Sequence, residues 1–187
     1  MAWRSEDMRL VGWFARRPCW PTDWPRAAGV EFVCTASACG DVWPEWCVDP
    51  WLHNELGLFD SPAAIDRLIP ADRTHEFVRL AVRMLPVQFE EWGEVPFAIE
   101  PVRPDPIPPH FERLGYDLST VSQGLECSPT SCNGKATECG ANRYCLFDSF
   151  DHAITTAHRF ARSRGVGVEP GPYVLIEVWA DRSTTLH

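Results

Sequence analysis

Four cysteines crowd the stretch 126–145, ECSPTSCNGKATECGANRYC: Cys127, Cys132, Cys139 and Cys145. Four thiolates are what a tetrahedral zinc site takes, and the ion would offset their charge. The spacings are C-x4-C, C-x6-C and C-x5-C, not the tight C-x2-C of a zinc ribbon. Cys145 falls in an apolar run, where a thiol also packs as a small hydrophobe. Cys19, Cys34, Cys39 and Cys47 form a second, looser quartet. A thiol can instead act as a nucleophile, and it then needs a base to become thiolate. His110, His152 and His158 are the available imidazoles. His158 falls beside an apolar helical stripe and can reach toward strands, whereas His152 falls opposite Phe150 and is expected in solvent. No family-specific pattern surrounds any cysteine.

Other residues suit recognition better than catalysis. The loop 128–142 and its flank offer Asn133, Asn142 and Arg143, and loops on a rigid scaffold commonly bind ligands. Asn133 and Asn142 equally suit turn capping. Glu90, Glu91, Glu94 and Glu100 gather near Gly93; paired carboxylates serve acid–base chemistry, but without a visible partner they read as a solvated edge. Six of nine tryptophans lie between Trp13 and Trp51, interleaved with prolines. Such rings either make a ligand platform or roof a core. There is no phosphate-binding G-x-x-x-x-G-K-[ST] loop, no dinucleotide glycine fingerprint, no H-E-x-x-H and no G-x-S-x-G, so no catalytic role is assigned to any residue.

The net charge of −9 disfavours nucleic acid and anionic membranes and favours a basic protein partner or a cationic ligand. Sixteen of the seventeen cations are arginine, scattered rather than clustered. No apolar run reaches signal-peptide or membrane-span length, so a cytoplasmic protein with reduced thiols is expected, not four disulfides.

These residues must be held by a fold, and the expected class is α+β: one domain, 1–187, built on a mixed β-sheet. A first strand is expected over 8–15 and another over 30–35, with Trp/Pro-rich turns around the latter. Ser61 and Pro62 should open a helix. Phe77, Leu80, Ala81 and Met84 recur at helical spacing and predict a second middle helix over 72–84. Strands are expected over 87–91, 96–100 and 116–122, with a Pro-rich connector at 101–109. The C-terminal part reads as strand (143–147), helix (149–164, ended by Gly165) and strand (173–179), followed by a frayed tail. The expected core includes Phe77, Leu80, Met84, Leu146, Ile154, Phe160, Val174, Ile176 and Val178.

The segments FERLGYDLSTVS, ECSPTSCN, NRYCLFDSFDHA and EPGPYVLIEVW resemble parts of bacterial proteins that carry no assigned activity. The resemblance implies no site residues. The functional expectation is an acidic, cytoplasmic protein that is a non-enzymatic binding or immunity-type interaction protein, the latter being the kind that neutralises a toxin. A zinc protein using the 127–145 thiols, or a cysteine-dependent enzyme, stands as the alternative.

Overall fold

A computed structural model describes residues 3–16, 54–87, 89–95, 97–98, 101, 106–122, 124–163, 168–181 and 183. Four strands form one sheet: β1 (Arg9–Arg16), β2 (Val78–Met84), β3 (Phe111–Thr120) and β4 (Tyr173–Asp181), in the order β1-β2-β4-β3. Two α-helices accompany them, α1 (Pro62–Leu68) and α2 (Phe150–Arg162). The fold is α+β.

The chain repeats itself. The motif N-x-x-x-L-F-D-S occurs at 54–61 and again at 142–149, and the backbone around it is the same in both places. The Asn54 side chain donates to Val11 O and accepts from the N–H groups of Leu56 and Leu58. Asn142 donates to Leu114 O and accepts from Tyr144 and Leu146. Phe59 then exchanges two backbone bonds with Trp13, and Phe147 does so with Tyr116. Ser61 caps α1 and Ser149 caps α2, each accepting the N–H three residues on. The motif therefore closes the outer edge of an edge strand and then launches a helix, leaving little unpaired edge to invite aggregation.

The strands repeat too. Each edge strand carries a bulge before a glycine, and the partners across it correspond: Gly12 faces Val82 and Gly115 faces Val178. Both glycines have positive φ, and a Cβ would meet Leu58 Cβ at 2.5 Å or Phe147 O at 2.7 Å, so no other residue fits. In the central pairing of β2 with β4, Val82 faces Val178. That pair is exchanged with itself when the halves are exchanged, so a pseudo-twofold axis runs through it.

One face of the sheet buries Val78, Leu80, Val82 and Met84 with Val174, Ile176, Val178 and Ala180, covered by Leu56, Leu58, Leu125 and Leu146. The other face carries two separate apolar clusters, one per helix. Ile65 of α1 packs with Trp13, Phe59, Phe77 and Ala81; Ala153, Ala157 and Phe160 of α2 pack with Tyr116 and Phe147.

Several expectations hold. The strands over 8–15, 116–122 and 173–179 and the two capped helices are present. All the expected core residues are buried except Ile154, which is half-buried against the α2 cluster. Others are corrected. The helix expected over 72–84 is a 3-10 turn (Ala71–Glu76) followed by β2, so among the described residues one α-helix, α1, stands in the middle of the chain. The stretch VRLAVRM satisfies period two as well as 3.6, and two flanking strands supply its hydrogen bonds. Segment 143–147 forms a single bridge, not a strand, because Asn142 takes two of its N–H groups. It runs the same way as β4, but β3 lies between them. Among the described residues every pairing is antiparallel, where a mixed sheet was expected. Glu90–Trp92 is a 3-10 turn, and no strand forms among the described residues of 87–98. The strand at 30–35, the Trp-Pro turns, the second cysteine quartet, Glu100, residues 102–105 of the Pro-rich connector, the cap at Gly165 and most of the tail lie outside the described residues.

Candidate functional site

The thiol loop is organised by a buried carboxylate. Asp117 stands where the first half has Phe14, and its Oδ1 accepts from Leu118 N–H and from the hydroxyls of Ser128 (2.7 Å) and Thr130 (3.2 Å). Ser128 N–H in turn donates to Cys132 Sγ at 3.4 Å. Cys127 N–H donates to Thr120, Cys139 Sγ accepts from Arg159, and Cys145 is buried at φ 60°, where the first half has Gly57. None of these four cysteines is in a disulfide. Among the described residues no three His, Cys, Asp or Glu side chains gather as a metal ion requires, so Cys127, Cys132, Cys139 and Cys145 are not assembled as a ligand set. Burial pushes the Cys139 thiol up, against the pull of Arg159.

The recognition candidates are occupied locally. Asn142 makes its edge contacts and also donates to Asp148, Asn133 accepts from Glu169 N–H, and Arg143 lies over the Tyr144 ring with a bond to its hydroxyl. Of the imidazoles, none bonds a described cysteine. His158 Nδ1 pairs with Glu91 at 2.8 Å beside Trp92, pinning the 3-10 turn to α2. His152 is exposed at the edge of the Phe147 ring, and His110 lies 3.8 Å from Asp181. Glu90, Glu91 and Glu94 are exposed.

The centre of the helix-bearing sheet face holds groups of a different kind. Glu177 on β4 is 2% exposed and receives Arg83 of β2 at 2.6 Å, while Arg83 also donates to Met8 O. Arg113 of β3 lies 4.0 Å from Glu177 and donates to the Tyr116 hydroxyl at 2.8 Å. Burial and the Glu177 carboxylate raise that hydroxyl's pKa, against Ser5 and Arg113. Beyond Trp179, Arg79 bridges Asp181 and Asp66 of α1.

The internal repeat makes this cluster stand out. Under the pseudo-twofold, Arg113, Tyr116, Glu177 and Arg83 correspond to Leu10, Trp13, Ala81 and Trp179. Around β1 these positions form an apolar quartet, and around β3 they hold three charged groups and a tyrosine. Buried ion pairs give up much of their Coulomb energy to desolvation, and an apolar replacement is often no less stable. The same fold contains that replacement, so packing alone does not call for the charges.

Neither the charged quartet nor the repeat entered the sequence expectations. The signals were the recurring N-x-x-x-L-F-D-S and the period-two placing of Arg79, Arg83, Glu177 and Asp181. No protein-family model matches this chain, and no curated protein or solved structure matches it.

Proposed function

We propose that the protein is a cytoplasmic, non-enzymatic binding protein whose partner meets the sheet face between α1 and α2. The observation that carries this reading is the ionic quartet Arg83–Arg113–Tyr116–Glu177 in a place its own fold otherwise fills with Leu, Trp, Ala and Trp. The net charge of −9 favours a basic protein as partner, drawn by the long-range field and registered by the central ions. An immunity-type role, holding such a partner inactive, accords with that charge. The described cysteines, none in a disulfide, accord with a reducing compartment, and no helix among the described residues is long and apolar enough to cross a membrane. A zinc protein or thiol enzyme has no comparable support, since the thiols neither converge nor meet an imidazole among the described residues.

Affinity capture from native lysate with the wild-type chain and with Arg83→Ala tests the reading. A specific, salt-sensitive partner is expected for the wild type and not for the variant. Absence of any partner, together with clear turnover of a metabolite by the purified protein, would overturn it.

A further inference from the structure

The same face carries a finer assignment, which rests on the binding reading above. We propose that Arg113 anchors a carboxylate presented by a net-basic partner.

Among the described residues three arginines belong to this face. Arg79 is closed by Asp66 at 2.6 Å and Asp181 at 3.4 Å, and Arg83 by Glu177 at 2.6 Å and Met8 O at 2.8 Å. Arg113 differs. It stands 4.0 Å from a carboxylate whose other oxygen already receives Arg83, so Arg83, Arg113 and Glu177 together hold one surplus positive charge. Its side chain is 44% exposed.

The guanidinium is nevertheless oriented. Nη1 donates to the Tyr116 hydroxyl, and the group lies 5.2 Å from the centre of the Tyr116 ring. Nε and Nη2 have no acceptor among the described residues. A planar fork held along one edge and open along the other is preorganised for bidentate carboxylate binding, because little rotamer freedom remains to be lost. Trp179, half-exposed and paired with Arg113 in the register, supplies an apolar wall beside it. At the position related to Arg113 the fold accepts Leu10, so no packing demand explains the arginine.

The body that carries the carboxylate follows from charge. A chain of net charge −9 repels a free small anion, whereas a basic partner is drawn in and can offer one acidic group at the contact. Such a local reversal of sign fixes register and rejects basic proteins that lack the acid.

The test uses the full chain, with the Arg113 Nε–H and Trp179 indole N–H signals followed by NMR. The probes are the blocked peptide Ac-KKGEGKK-amide, its Glu-to-Gln twin, and succinate. Saturable shifts at both signals are expected with the Glu peptide, with at least tenfold weaker binding of the twin and of succinate. Arg113→Leu copies the residue of the other half, so it should fold, and it should bind the two peptides alike. Equal binding of both peptides by the wild type, or unchanged discrimination in Arg113→Leu, would overturn the proposal. Succinate binding as tightly as the Glu peptide would overturn the basic partner in favour of a free carboxylate ligand. A native partner captured equally by wild type and Arg113→Leu would remove this anchor while leaving the binding reading intact.

Discussion

Asn142→Ala tests the edge-closing motif directly. The side chain makes four hydrogen bonds: to Leu114 O (2.9 Å), to Asp148 (2.8 Å), and from Tyr144 N (2.9 Å) and Leu146 N (3.2 Å). Leu114, Tyr144 and Leu146 are buried, so three backbone groups would lose their partner where water cannot replace it. The Asp148 contact is at the surface and counts for little. At roughly 1 kcal/mol for each buried bond, the variant should lose about 3 kcal/mol. For a chain of this size that corresponds to a fall in Tm of about 6–12 °C. Urea unfolding followed by circular dichroism gives the free energy, and calorimetry gives Tm. The repeat sharpens the test, because Asn54→Ala removes the same three backbone contacts in the other half, to Val11, Leu56 and Leu58. The two losses should agree within about 1 kcal/mol. A loss below about 0.5 kcal/mol in either variant, or a large loss in one and none in the other, would refute both the edge-closing role and the equivalence of the halves.

Three further outcomes are expected. Gly115→Ala places a Cβ 2.8 Å from Leu146 Cβ at φ +147°, and should cost about 3 kcal/mol or more in the same urea assay. The Glu91 carboxyl is held below its ordinary 4.5, first by its own backbone N–H and then by His158. A lowered folded-state value means that its stabilisation is present at neutral pH and is lost as the pH falls below 4.5, so the Tm gap between wild type and Glu91→Gln should narrow steadily as the pH is lowered through that range. In iodoacetamide labelling read by mass spectrometry at neutral pH, Cys139 should react after Cys127 and Cys132, because it is buried with a raised thiol pKa whereas they are partly exposed.

What the sequence displayed was local chemistry. Ser61-Pro62 and Asp148-Ser149 announce helix starts because a cap acts on the next turn, and YVLIEVW announces a strand because its β-branched residues suit a sheet buried on both faces. What it concealed was decided by partners distant in the chain. VRLAVRM carries two periodicities at once, and only its neighbours β1 and β4 select the strand. RYCLF has strand composition, yet the preceding asparagine takes the N–H groups a ladder would need. The cysteines are dense in the sequence, but their surroundings come from Asp117, a buried acid of β3 whose role is visible only once Ser128 and Thr130 lie against it. The ionic quartet is assembled from three strands far apart in sequence, and no window of residues contains it. The repeated N-x-x-x-L-F-D-S was legible throughout, and it is the signal that would have ordered the rest.

The seam between β2 and β4 has a corollary for assembly. Each unit contributes its inner strand to a ladder in which Arg83 meets Glu177 and Val82 meets Val178. Two separate polypeptides, each carrying one unit, could zip along that ladder as a heterodimer. With Arg83 and Glu177 both exchanged for the apolar residues of their related positions, Trp179 and Ala81, the surfaces become alike enough for a homodimer. The covalent join then raises local concentration and lets the two copies diverge, so that Arg83 of one meets Glu177 and Arg113 of the other.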